Sequence, residues 1–294
     1  MPFFQALTPE QAARFADGGV QIEHHRAPAA LLAEHRRVDR ALASLLPQRK
    51  GVVDAYVIAM ALDSDPVFGR EAREAGRVLA RRYDAAGRTL TFAGSEGHAP
   101  SALAMGSPDT LALALARVAE LMDRNEDVLV LYTTSHGAPF GLVYNDADQG
   151  FGVISATALA NQLDALGITR RVIIISACYS GVFIPVLSGE DAAVLTASAG
   201  DRTSFGCKSD NDWTFFGDAL VNNALRKRQP LAEAGAEAAR LITDWEGKGR
   251  LTPSLPQMLI GARATIWLAM LDKRTPKLAT APVGTPSVAL LDAR

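Results

Sequence analysis

At 294 residues, with 48% hydrophobic, 21% charged and 6% aromatic side chains, the chain has the composition of a folded globular protein of one or two domains, which excludes wholesale disorder. Thirty Lys and Arg against 32 Asp and Glu leave a formal net charge of −2, so no basic surplus points to nucleic acid. Cys178 and Cys207 are the two cysteines, which excludes a disulfide framework; no Cys/His cluster has zinc spacing, and neither a metal nor an organic cofactor is expected.

The N-terminal stretch MPFFQALTPEQAARFADGG has no basic segment followed by an apolar core, and no apolar run reaches the roughly 18 residues a membrane span needs. The expectation is a protein without a membrane span, cytoplasmic as written, or periplasmic if a secretory leader has been removed. Oligomeric state stays open.

Residues 1–50 read as a helical extension, with Pro9 in a first turn after Thr8 and a second run, APAALLAEHRRVDRALASLL, ending before Pro47. From Val52 the pattern alternates. VVDAYVIAMAL reads as a strand, FGREAREAGRVLARRYD as a helix and RTLTFAG as a strand. A helix capped by Ser107 with Pro108 at its start follows, then the strand DVLVLYTT, a helix capped by Ser155, and the strands RVIIISA and AAVLTAS. Apolar strands alternating with helices predict a mostly parallel sheet covered on both faces. Helices return from Thr214 to about Trp245, and residues 272–294, rich in Pro, Thr and Ala, read as a flexible tail. The expected organisation is therefore an extension (1–50), an α/β domain (51–271) and a tail (272–294).

Two strands end on chemistry. DVLVLYTT runs into Ser135, His136 and Gly137, and RVIIISA into Cys178. Residues just past the carboxyl ends of neighbouring parallel strands share one crevice. There an imidazole can take a thiol proton or stabilise the thiolate, and the N–H groups of Gly137 and Cys178 can hold an oxyanion. Singly, such a cysteine is most often a small buried hydrophobe and such a histidine part of a turn. Matched strand ends joined by a βαβ crossover favour the chemical reading.

The blocks LVLYTTSHGAP and VIIISACYSG resemble the histidine and cysteine blocks of the legumain-like cysteine peptidases, the C13 family of caspase-like fold, and suggest a bacterial-type member. The likeness spans about residues 52–268. It implies a cysteine endopeptidase with His136 as acid and base and Cys178 as nucleophile, acting on peptides or proteins after asparagine. It also implies a substrate pocket. AMALDSDPVFGREA puts Arg70 on the family's pocket arginine, and LTASAGDRTSFGCKSDNDWTFFGDAL puts Ser204 and Asp218 on its serine and aspartate. Ser176 stands where animal and plant members carry a pocket glutamate, which implies readier acceptance of aspartate. The asparagine these enzymes use near the histidine falls on Phe68, so no third catalytic residue is assigned.

Other features carry less. NDADQG, residues 145–150, lacks the spaced ligands of a calcium loop and reads as an acidic turn. His24, His25 and His98 read as solvated, Cys207 as a core thiol, and Arg73, Glu74 and Arg77 as a charged helix face. Two alternatives to hydrolysis remain: transpeptidation on the same dyad, and a catalytically silent binding protein of the same fold.

Overall fold

The structure, a computed structural model, describes residues 8–94 and 101–291. The expectation for His98 lies outside these residues. The chain begins with α1 (Pro9–Asp17), β1 (Gln21–Glu23) and α2 (Pro28–Ala43), followed by β2 (Ala55–Ala61), α3 (Pro66–Arg82), β3 (Thr89–Phe92) and α4 (Pro108–Leu121). Next come β4 (Val128–Thr134), β5 (Gly137–Ala138), β6 (Gly141–Asp146), β7 (Gly150–Ile154), α5 (Ala156–Ala165) and β8 (Arg171–Ser176). A short α6 (Ile184–Leu187), β9 (Ala192–Thr196), a π-helical turn (Gly217–Asn223), α7 (Leu231–Lys248), β10 (Gln257–Ile260) and α8 (Ala262–Asp272) complete it.

A six-stranded sheet of order β10-β9-β8-β4-β2-β3 forms the centre. Five of its strands are parallel and β10 is antiparallel to β9. Period-two alternation sends successive side chains to opposite faces. Val57, Val130, Ile174 and Leu195 pack against α3, α7 and α8, while Ile58, Leu131, Ile173 and Val194 pack against α4 and α5. This is the expected α/β architecture, and burial on both faces explains why its strands read as unbroken apolar runs. The expected caps form: Ser107 Oγ accepts from Thr110 N–H at 3.1 Å and Ser155 Oγ from Ala158 N–H at 3.0 Å. No helix among the described residues is long and apolar enough to cross a membrane.

Three parts differ from expectation. β1 and the β5–β7 hairpin form a second sheet of order β1-β7-β6-β5, which the helical reading of residues 1–50 did not include. β10 was not anticipated. The segment after α8 is docked rather than flexible: Leu278 O accepts from Arg81 Nη2 at 2.8 Å, Ser287 is buried, and Val288 and Leu291 pack on the core. NDADQG is the turn between β6 and β7, as expected.

Candidate active site

β4 and β8 run parallel with Thr134 opposite Ser176, and Ser135 N–H donates to Ser176 O at 3.2 Å, carrying the pairing past the strand ends. Two residues beyond that register lie His136 on one chain and Cys178 on the other. The backbones stay in contact: a Cβ at Gly137 would fall 2.0 Å from Cys178 O, so only glycine fits there. Tyr179 takes the left-handed conformation at φ 57°, ψ 12°, at a cost of about 1–2 kcal/mol for a side-chain-bearing residue. Its N–H donates to Arg202 O at 2.7 Å, and the turn leaves Cys178 half-buried between buried Ala177 and Ser180.

Hydrogen bonds converge on the thiol. Cys178 Sγ accepts from Ser204 N–H at 3.2 Å and lies 3.6 Å from Ser204 Oγ. Donation from the Cys207 thiol, first, then the Ser204 contacts and the His136 charge, hold the Cys178 thiol down at about 6 against the opposing effect of burial. The same bond and burial push Cys207 well up. The thiolate form of Cys178 is thereby favoured, while Cys207 stays protonated.

His136 has two carboxylates beside it. Asp65 stands at the N-cap of α3 but makes no cap bond; its Oδ2 lies 3.6 Å from His136 Nε2 and its Oδ1 accepts from Ser209 Oγ at 3.1 Å. Asp63, buried behind it, accepts Asp65 N–H at 2.9 Å, and its own carboxyl is pushed up by burial. Phe68 meets the imidazole edge-on with centroids 5.1 Å apart. Asp63, Asp65 and His136 also form a trio of candidate metal ligands within 4.8 Å of one another. One oxygen of each aspartate already accepts a protein hydrogen bond, and Asp65 Oδ2 faces His136 Nε2, so the trio is read as the histidine's own setting.

Arg70 projects from the start of α3 and donates to the carbonyls of Ser209 and Asn211, with Asp212 Oδ1 3.5 Å from its Nε. Arg70 and Asp212 keep 35% and 36% of their side-chain surface exposed, so both face open space. Asp218 is elsewhere. It is 1% exposed, and its oxygens accept from Asn222, Asn223 and both donors of Ser287 at 2.7–3.1 Å. A saturated, buried carboxylate has no lone pair left for a substrate, so the aspartate facing Arg70 is Asp212, six residues earlier. Ser176 is likewise buried, 3.1 Å from Thr214 Oγ1, beneath the site. Sequence reading passed over Asp65, Asp212 and Glu71, which ties Tyr132 to Thr214; the one clue was the density of short polar residues in DSD and SDND. It also set Glu74 on the surface, whereas Glu74 is buried and paired with Arg226 at 2.6 Å.

Residues 103–239 match the family model of the Peptidase C13 family. The matched stretch includes His136, Gly137, Cys178, Ser204 and Asp212, and Arg70 precedes it. A crystal structure of caspase-1 from Spodoptera frugiperda is similar with a TM-score of 0.46 and 12% sequence identity, covering 74% of this chain and 93% of that one. No curated protein matches.

Proposed function

We propose that this chain, which matches the Peptidase C13 family model over residues 103–239, is a cysteine peptidase that cleaves peptide bonds after asparagine with Cys178 as nucleophile and His136 as acid and base. The observation that carries the reading is the shared register of β4 and β8, which ends both strands at one level with a thiol held at about 6.

In this scheme the Cys178 thiolate attacks the scissile carbonyl, and the N–H groups of Cys178 and Gly137 hold the oxyanion. His136 protonates the leaving amine to give a thioester, then takes a proton from the water that resolves it. Asp65 orients the imidazole through Nε2, leaving Nδ1 for the sulfur. The P1 asparagine accepts from Arg70 through its amide oxygen and donates to Asp212 through its NH2. An aspartate at P1 keeps the Arg70 bond but meets the charge of Asp212, so asparagine is preferred. Residues 51–271 are the peptidase domain in this reading.

Fluorogenic peptides with Asn, Asp, Arg or Ala at P1, assayed between about pH 4.5 and 8, test it. Asn-selective turnover is expected, lower by about 10³-fold or more in Cys178→Ala and His136→Ala and stripped of its Asn preference in Asp212→Ala. Equal turnover of Ala and Asn peptides would remove the pocket, and turnover surviving in Cys178→Ala would remove the nucleophile.

A further inference from the structure

The segment after α8 returns to the site. Val283 exchanges two hydrogen bonds with the Asn222 side chain, at 2.8 and 3.1 Å, and its carbonyl accepts from Trp213 Nε1 at 2.8 Å. Ser287 N–H and Oγ then donate to Asp218 Oδ2 at 2.7 and 2.9 Å. Between these two anchors, Thr285 N–H donates to Asp212 Oδ2 at 2.8 Å, across 73 residues of sequence. Gly284, at φ 74°, lies flat on the same side chain: a Cβ there would stand 3.1 Å from both Asp212 Cβ and Oδ2.

We propose that this C-terminal strap is a specificity-determining element: by holding Asp212 Oδ2 through Thr285 N–H, it keeps the carboxylate apart from Arg70 and free to read the P1 amide. This rests on the reading of Arg70 and Asp212 as the P1 pocket. With Oδ2 pinned, Oδ1 is 3.5 Å from Arg70 Nε, close enough to balance charge and too far for the bidentate pair that arginine and aspartate otherwise form. Freed of the strap, the carboxylate turns onto Arg70. Each group then occupies the other, and the pocket loses the donor and the acceptor that distinguish asparagine. Asp218 and Thr285 are thus positioning residues that act through Asp212.

Thr285→Pro removes the N–H in the full-length chain, and Gly284→Ala disturbs the same contact by a different route; Leu278→Ala, whose side chain is 79% exposed, is the control. The expected result for both strap variants is a KM for the Asn peptide raised roughly tenfold, as for loss of one hydrogen bond to a charged group. The ratio of kcat/KM for Asn over Asp should fall by a similar factor, with kcat and the rate of Cys178 alkylation within about twofold of the parent and Leu278→Ala unchanged throughout. A merely structural strap would lower kcat, alkylation and melting temperature together while leaving the Asn/Asp ratio intact, and that pattern would overturn the inference. So would parent-like KM and ratio in both variants. A parent protein that turns over no P1 peptide, or whose P1 preference survives Asp212→Ala, would instead bring down the pocket reading and the inference with it.

Discussion

The thiol of Cys178 sits below its ordinary range because donors outnumber the penalty of burial, and the largest contribution is the Cys207 thiol. Removing that donor has a calculable sign. Cys207→Ala takes away a hydrogen bond made to the charged form, so the Cys178 thiol rises; a bond of this class is worth roughly 1.5 kcal/mol, or about one pH unit. Cys207→Ser retains a donor and should stay near the parent. The pH dependence of iodoacetamide alkylation reads this directly, since Cys207 is half-buried with its thiol pushed up and so reacts later. The midpoint for Cys178, near pH 6 in the parent, should move upward in Cys207→Ala and hold in Cys207→Ser. An unmoved midpoint in the alanine variant would assign the lowering to Ser204 and His136 alone. The placing of His136 and Cys178 at one level was legible because strand periodicity fixes where β4 and β8 end. The partnership of Cys207 was not, because an irregular loop leaves no period from which to count.

At the scale of elements, the loop between β9 and the π-helical turn carries Ser204, Ser209, Asn211 and Asp212, and α3 holds it from below. Glu71, fully buried, accepts from Tyr132 Oη at 2.6 Å and from Thr214 N–H and Oγ1 at 2.9 and 2.8 Å. A Cβ on Gly217 would lie 2.0 Å from Glu71 Oε2, so glycine is required where the π-helical turn begins. Glu71→Gln keeps the shape and reverses part of the chemistry: its NH2 must face either the tyrosine hydroxyl or the Thr214 N–H. Turned to the tyrosine, the NH2 makes Oη the acceptor and leaves the hydroxyl proton without its carboxylate, at about 1.5–3 kcal/mol. Thermal unfolding should fall by roughly 5 °C for a chain of this size, and KM for Asn peptides should rise while the Cys178 alkylation midpoint holds, because Glu71 touches the loop and not the thiol. A drop in melting temperature with unchanged KM would show that the loop keeps its shape without this anchor. The same loop explains the displaced aspartate. Asp212 and Asp218 lie six residues apart in an aperiodic stretch, and which of them faces Arg70 depends on the loop's path and on Ser287 claiming Asp218, information that only the fold contains. β1, of three residues, was too short to carry a period, and β10 shows no alternation of buried and open positions, whereas the four-residue β3 alternates and the seven-residue β2 and β4 announced themselves.

For the whole molecule, both ends of the chain brace the site from opposite sides. The C-terminal strap reaches Asp212. The N-terminal extension reaches the hairpin that follows His136: β1 pairs with β7, and Arg26 bonds Asp146 Oδ2 at 2.7 Å and Tyr144 Oη at 3.1 Å. Val38 and Leu45 enter the core beneath β2, and Arg49 closes on the buried Asp54 carboxylate through its N–H at 2.7 Å and its guanidinium at 2.6 and 2.9 Å. An extension bound by core residues, a strand pair and a buried charge should not melt by itself. Calorimetry of the full-length chain is therefore expected to show one cooperative transition. Arg49→Ala leaves Asp54 with Arg88 at 3.2 Å, so the cost is smaller than for breaking an isolated buried pair, about 1–2 kcal/mol once the 40% exposure of Arg49 is discounted. That single transition should move down by roughly 2–8 °C without splitting. A transition that divides in two, with the smaller component lost on deletion of residues 1–50, would instead make the extension an independent appendage and confine the bracing of His136 to the β5–β7 hairpin.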